Sequence, residues 1–189
     1  MNCYLLVGGS SRRMGRPKAD VAFGGSTLLG RVAEAARGAF GRVIAVQRPG
    51  GAPADALQTI CEMPHDEKAP IFGIACALRH AGEKCFIMAI DYPLITTEML
   101  RFLADRFEAS TAPLLAPRWS GKLQMLCAGY SPALLPLIDE RIAGGRFELR
   151  GLAADAEIIE EETLRSTFPG EPLMNVNTPE ELELAARWS

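Results

Sequence analysis

Apolar residues in the first hundred positions follow two alternating patterns. Short continuous apolar runs at 4–7, 43–46 and 85–90 are typical of strands that are covered on both faces. Between them, residues 28–40 and 71–80 carry apolar side chains at helical spacing. This alternation predicts an α/β fold, in which right-handed crossovers build a mostly parallel sheet with helices on both faces.

Helix-start signals and a further strand complete the pattern in the second half of the chain. Thr96 is predicted to cap a helix, and residues 124–130 are predicted to include a strand. Near the end, Thr178 precedes Pro179, and Glu181 stands three positions after Thr178. That arrangement is typical of a capping box with proline in the first helical position.

Composition indicates one globular domain. The 189 residues are 48% hydrophobic and 23% charged, which is enough apolar material for a sizeable core. No repeat or long linker divides the chain, so we predict a single Rossmann-like, three-layer α/β/α domain over 1–189. The net charge of -3 gives no electrostatic footprint for nucleic acid.

Several features indicate the cellular setting. No apolar run approaches the roughly 20 residues that span a bilayer, and the N-terminus lacks the pattern of a secretory signal. Five cysteines in apolar surroundings favour buried free thiols in a reducing compartment. We therefore expect a cytoplasmic protein that binds neither nucleic acid nor membranes.

Candidate chemistry begins directly after the first strand. Between Gly8 and Lys18 the chain carries three glycines, two hydroxyls and four cations. Ligands of such sheets bind at the carboxyl ends of strands, where glycines let backbone amides approach an anion and where Arg13 and Lys18 can neutralise phosphate oxygens. The spacing matches neither the dinucleotide nor the Walker A fingerprint. The loop favours a polyphosphate site over the alternative, a solvated basic turn.

Two further segments carry polar side chains with candidate roles. Asp91 directly follows the apolar run 85–90, and Mg²⁺ prefers one or two protein carboxylates together with substrate phosphates. Asp91 is therefore the candidate metal ligand, with capping of the next turn as the alternative. Asn175 and Asn177 are expected on one face of an extended segment, as ligand contacts or as a polar turn. Gln124 could be a further contact, although an exposed strand position is favoured.

Cysteines and histidines form one more pattern, which we disfavour as a metal site. Cys61, His65, Cys76 and His80 have the side-chain types of zinc ligands. Their spacing differs from that of zinc fingers, and both cysteines stand in apolar stretches.

Three segments together resemble a known family. The loop LLVGGSSRRMGRPKA, the segment IDYPL that contains Asp91, and the segment NVNTPEEL that begins at Asn175 occur in this order and cover nearly the whole chain. In these motifs and in their separations, the chain resembles the MobA-like nucleotidyltransferases, in particular the molybdenum cofactor guanylyltransferases.

The resemblance implies a reaction and a set of site residues. It implies transfer of GMP from GTP to molybdopterin that carries molybdenum, with Mg²⁺ as cofactor, release of pyrophosphate, and transient contact with molybdoenzymes or their chaperones. It assigns about 1–95 to nucleotide binding and about 96–189 to acceptor binding. The implied roles are nucleotide binding by Leu6, Val7, Gly8, Gly9 and Glu62, phosphate binding and catalysis by Arg13 and Lys18, catalysis and Mg²⁺ binding by Asp91, and pterin binding by Asn175 and Asn177.

Three positions depart from the family pattern. Glu62 stands where the family usually has Asp, and Ala45 and Gln47 stand where it has Asn. Two alternatives therefore stay open, a cytidylyl- or sugar-phosphate nucleotidyltransferase and a non-catalytic nucleotide-binding regulatory module.

Overall fold

The computed structural model describes residues 1–7, 17–51 and 57–188. In these ranges strands and helices alternate as predicted. The strands are β1 (Asn2–Leu6), β2 (Ala22–Phe23), β3 (Ser26–Thr27), β4 (Val43–Gln47), β5 (Gln58–Cys61), β6 (Cys85–Ala89), β7 (Leu114–Trp119), β8 (Lys122–Leu123), β9 (Cys127–Tyr130) and β10 (Ala156–Ile159). The helices are α1 (Leu28–Ala39), α2 (Pro70–Ala81), α3 (Thr97–Ala109), α4 (Leu135–Ala143), α5 (Glu161–Thr167) and α6 (Pro179–Ala186).

In the described residues eight strands form the central sheet: seven stand in the order β10-β7-β9-β6-β1-β4-β5, and β8 pairs with β7. β1 pairs in parallel with β4 and β6, and β4 pairs in parallel with β5. β9 runs antiparallel to β6 and β7. The connection from β7 to β9 is too short for a crossover helix, so an antiparallel return is the geometry that it permits. The predicted mostly parallel α/β sheet is confirmed.

Helices cover both faces of the sheet. Val32 of α1 and Leu103 of α3 pack in one core cluster with Cys3 and Leu5 of β1. Tyr4, which lies between those two strand residues, packs in a second cluster with residues of α2 and α4. Because successive side chains of a strand point to opposite faces, the continuous apolar run of β1 serves both cores. The predicted three layers are confirmed.

Local signals located the helix starts well and the edge strands poorly. Thr96 and Thr178 cap α3 and α6 through their side-chain oxygens, and the predicted capping box of Thr178 and Glu181 is present. β5 and β10 lie at the two ends of the sheet order and are only partly buried, so their sequences lack the continuous apolar run that marked the central strands.

The helices and the cysteines bear on two expectations drawn from the sequence. None of the described helices is long and apolar enough to cross a membrane. All five cysteines are free thiols, and Cys3, Cys85 and Cys127 are buried. Cys61 is exposed, because it ends the edge strand β5.

Candidate active site

A cleft lies where the order of the strands reverses. The chain passes from β1 to β4 and β5 on one side and then returns to β6 on the other side of β1. Such a reversal opens a crevice at the carboxyl ends of the strands. The cleft has a volume of about 280 Å³. The start of α2 also borders it, and the lining includes Leu6, Lys18, Arg48, Glu62, Lys68, Asp91 and Pro70.

Lys18 joins two of the predicted site segments. It lies in a 3₁₀ turn (Lys18–Asp20) and is only 7% exposed. Its Nζ forms an ion pair with Asp91 Oδ1 at 2.8 Å and donates a hydrogen bond to Asn177 Oδ1 at 2.9 Å. The ammonium is thereby held in the cleft by a carboxylate and an amide. A fixed cation of this kind is suited to phosphate oxygens.

Backbone contacts hold the segment of Asn177 against Asp91. The amide of Val176 donates to the carbonyl of Asp91 at 2.9 Å. Glu181 Oε2 accepts from the amides of Asn177 and Thr178 at 2.6 and 3.1 Å, so the capping box of α6 also anchors the asparagine. The contact between Lys18 and Asn177 therefore bridges the two halves that we predicted for nucleotide and acceptor.

Asn175 belongs to a buried polar network. Gln124 Oε1 accepts from Asn175 Nδ2 and from the Tyr92 hydroxyl, both at 3.2 Å, and Gln124 Nε2 donates to the carbonyl of Trp119 at 3.1 Å. The favoured exposed position of Gln124 was wrong, because this side chain is only 8% exposed. Burial raises the pKa of the Tyr92 phenol, which keeps it protonated as a donor. The network fixes the amide of Asn175.

Glu62 follows β5 and lines the cleft from the side opposite Asp91. Its amide donates to the carbonyl of Gln47 at 2.9 Å, and its side chain is buried. Its Oε2 lies 2.7 Å from His65 Nε2. Its Oε1 lies against Gly73 of α2, where a Cβ atom would be 2.9 Å from Oε1 and 3.0 Å from Leu6 Cδ2. Gly73 thus makes room for two predicted nucleotide-binding residues.

Sequence reasoning missed two cations of the cleft. Arg48 directly follows β4, and Lys68 precedes α2. The rule that located Asp91, a polar residue directly after a buried strand, would also have found Arg48. With Lys18, these side chains give the described lining three cations against the carboxylates of Glu62 and Asp91. An excess of positive charge suits a polyphosphate.

The other predicted site residues lie at the end of β1, in β4 or outside the described residues. Leu6 ends β1 in the cleft, and the amide of Val7 donates to the carbonyl of Val46 at 3.0 Å. Ala45 is buried inside β4, and Gln47 Nε2 donates to Cys61 Sγ at 3.6 Å. Gly8, Gly9 and Arg13 lie outside the described residues.

The histidines of the disfavoured zinc pattern have other partners. His65 contacts Glu62, and His80 Nδ1 lies 2.7 Å from the Tyr4 hydroxyl. Among the residues that the structure describes, no three histidine, cysteine, aspartate or glutamate side chains are grouped to hold a metal ion.

Comparison with protein families decides between the classes of enzyme that use such a cleft. Residues 3–158 match the model of the MobA-like NTP transferase domain. The chain belongs to the MobA-like NTP transferase family. Membership confirms the resemblance seen in the three motifs, and it confirms that this MobA-like protein is a nucleotidyltransferase.

Individual relatives of this MobA-like transferase agree over nearly its whole length. It is 31% identical over 185 residues to the "Probable molybdenum cofactor guanylyltransferase" of Aquifex aeolicus. This alignment covers 96% of this chain and 88% of the relative. The relative of the same name in Mycobacterium avium is 30% identical over 191 residues, covering 97% and 93% of the two chains.

Solved structures confirm the fold. Molybdopterin-guanine dinucleotide biosynthesis protein A of Archaeoglobus fulgidus superposes with a TM-score of 0.84 at 26% identity, covering 100% of this chain and 98% of the other. A 2-C-methyl-D-erythritol 4-phosphate cytidylyltransferase of Thermus thermophilus gives 0.70 at 16% identity, covering 98% and 96%. At 16% identity, the similarity to the cytidylyltransferase concerns the fold alone.

Proposed function

We propose that this MobA-like transferase moves GMP from GTP to the terminal phosphate of molybdopterin that carries molybdenum. The names of its relatives support this acceptor and this nucleotide. The observation that carries the proposal is the ammonium of Lys18, which the carboxylate of Asp91 and the amide of Asn177 hold at the point where the strand order reverses.

The transfer needs no nucleophile from the protein. A phosphate oxygen of the acceptor attacks the α-phosphorus of GTP, the bond from that phosphorus to the oxygen bridging to the β-phosphate breaks, and pyrophosphate leaves. Negative charge grows on the leaving group during this step. The cations Lys18, Arg48 and Lys68 line the cleft in which that charge develops. Fixed charges stabilise a transition state because they need not reorganise when the reaction occurs.

The residues of the cleft fit a magnesium ion that arrives with the nucleotide. Asp91 keeps 24% of its side chain exposed in the cleft, and one carboxylate is enough when phosphates and water supply the other oxygen ligands. Asp91 would hold the ion, which when bound neutralises charge on the phosphates. Lys18, at 2.8 Å from the same carboxylate, adds a second positive charge that belongs to the protein.

Glu62 is the proposed reader of the base. Guanine presents its ring N1–H and its exocyclic 2-amino group as adjacent donors, and an ionised carboxylate offers two acceptor oxygens. Adenine and cytosine present an acceptor nitrogen at the corresponding ring position, which a carboxylate repels. The buried position of Glu62 strengthens this preference, because an unpaired polar group is costly where water is excluded.

Binding and transfer assays test the proposal separately. Calorimetric titration with GTP, ATP and CTP in the presence of Mg²⁺ should give the lowest Kd for GTP. The nearly isosteric Glu62→Gln variant should lose that preference. Mixing with GTP and molybdopterin should release pyrophosphate. Equal affinity for the three nucleotides would overturn the assignment of guanine, and release with a sugar phosphate in place of molybdopterin would overturn the assignment of the acceptor.

A further inference from the structure

His65 has a position that the proposed reaction does not use. It lies between β5 and α2, and its side chain is only 10% exposed. Its ring stacks on Phe72 of α2, with ring centroids 3.8 Å apart and an interplanar angle of 12°. One ring nitrogen, Nε2, lies 2.7 Å from Glu62 Oε2, and the other, Nδ1, lies 3.5 Å from Nη2 of Arg48. The ring is thus packed on one face, held closely at Nε2 and contacted more loosely at Nδ1.

The two nitrogen contacts select one form of the ring. An arginine guanidinium has only donors, so it faces a ring nitrogen that carries no proton. In the neutral imidazole the remaining proton is then on Nε2, directed at Glu62. Arg48 is itself anchored, because its guanidinium also donates to the carbonyl of Glu67. The result is that the Nε2–H of His65 points in a fixed direction at the carboxylate of Glu62.

A glutamate needs such support to recognise a base. Its side chain has three rotatable bonds, so its carboxylate can take up many orientations unless neighbours remove them. The backbone of Gly73 lies against one oxygen of Glu62, and His65 holds the other. A site that must accept two adjacent hydrogen bonds depends on this orientation, since ligating groups work only within narrow limits of distance and angle.

We propose that His65 is a positioning residue for base recognition. Its Nε2–H holds Oε2 of Glu62, so that both carboxylate oxygens are presented to guanine in one fixed plane. The stack on Phe72 keeps the imidazole in place. This inference rests on the proposed function, in which Glu62 reads the base.

The preference for GTP over ITP measures the orientation of Glu62. ITP has the same ribose and phosphates and keeps the N1–H of guanine, but it lacks the 2-amino group. One charge-assisted hydrogen bond therefore separates the two ligands, and we expect wild-type protein with Mg²⁺ to prefer GTP by about tenfold in Kd. Contacts with the phosphates cancel in this ratio, so a general loss of binding does not change it.

Two substitutions of His65 separate its donor from its packing. His65→Phe keeps a ring to stack on Phe72 and removes the donor, and we expect the preference to fall to less than about threefold with little change in the Kd for ITP. His65→Gln loses the ring but keeps an N–H donor, and should retain most of the preference. His80→Phe is the matched control, because the ring of His80 contacts the Tyr4 hydroxyl rather than the carboxylate of Glu62.

The outcomes distinguish this inference from the function on which it rests. If wild-type protein prefers GTP, Glu62→Gln loses the preference and His65→Phe keeps it in full, His65 does not position Glu62 while the proposed function stands. If wild-type protein binds GTP and ITP equally, Glu62 does not read the 2-amino group, and the proposed roles of Glu62 and His65 in base recognition both fail, whereas transfer of GMP is tested separately by the release of pyrophosphate. Thermal melting of each variant checks the fold, and retention in His65→Gln together with loss in His65→Phe supports the proposal.

Discussion

Replacing Gly73 with alanine should change both the stability of the protein and its affinity for GTP, and the two changes can be measured separately. Gly73 is the fourth residue of α2 and is buried between Glu62 and Leu6. A Cβ atom there would lie 2.9 Å from Glu62 Oε1, so the end of that side chain must move, and 3.0 Å from Leu6 Cδ2, so the leucine must give by a few tenths of an ångström. The backbone conformation of Gly73 is that of an ordinary helix, so the substitution acts through these two contacts.

Opposing effects set the size of the change in stability. Alanine is favoured over glycine inside a helix by about 1 kcal/mol. The new methyl group must displace the end of Glu62, and a lost hydrogen bond to a charged group costs about 1.5 to 3 kcal/mol. The free energy of unfolding should therefore fall by between about 0.5 and about 2 kcal/mol. Because the displaced residues line the proposed nucleotide site, the Kd for GTP should rise by about tenfold or more.

Urea unfolding and calorimetric titration of Gly73→Ala measure the two quantities. Gly41→Ala is the control, because a Cβ atom on Gly41 has no neighbour within 4 Å. It should leave both the free energy of unfolding and the Kd for GTP nearly unchanged. Unaltered GTP affinity in a folded Gly73→Ala protein would refute the placement of Glu62 and Leu6 in the nucleotide site.

Five further substitutions test other parts of the cleft and the cap of α6. Asp91→Asn should lower the rate of pyrophosphate release by about a hundredfold or more at saturating Mg²⁺, because the ion loses its charged ligand; a rate within a few-fold of wild type would exclude that role. Lys18→Ala should raise the Kd for GTP and also slow transfer, since its charge acts in the ground state and in the transition state, and single-turnover kinetics separate the two effects. Asn177→Ala frees Lys18 from its amide partner and should weaken GTP binding, whereas Asn175→Ala should spare it, so the reverse ranking in titrations would contradict the contact between Lys18 and Asn177. Thr178→Ala should cost about 1 kcal/mol of unfolding free energy through the lost cap of α6, and an unchanged urea midpoint would show that the cap is unimportant.

Local pattern in the sequence was enough for the architecture and for the candidate chemistry. The apolar runs at β1, β4 and β6 predicted central strands because burial on both faces excludes polar residues from every position of a strand. The cap of α6 was predicted because its hydrogen bonds join residues only three positions apart. Asp91 and Lys18 were identified because the fold class alone says that ligands bind after the strands.

Only the tertiary structure decided which of these residues meet. The contact of Lys18 with Asn177 spans 159 positions, and it depends on the order of strands in the sheet, which hydrophobic periodicity does not encode. From the sequence, Gln124 was expected to be an exposed strand residue. The residues around it in the sequence give no sign of its buried partner Asn175, which lies 51 positions further along the chain and donates a hydrogen bond to it. The support of Glu62 by His65 likewise depends on how Phe72 of α2 packs against the loop. Periodicity in a sequence reports how deeply each residue is buried, whereas the identity of its partners follows from how distant segments pack, and the site of this enzyme is made of such partners.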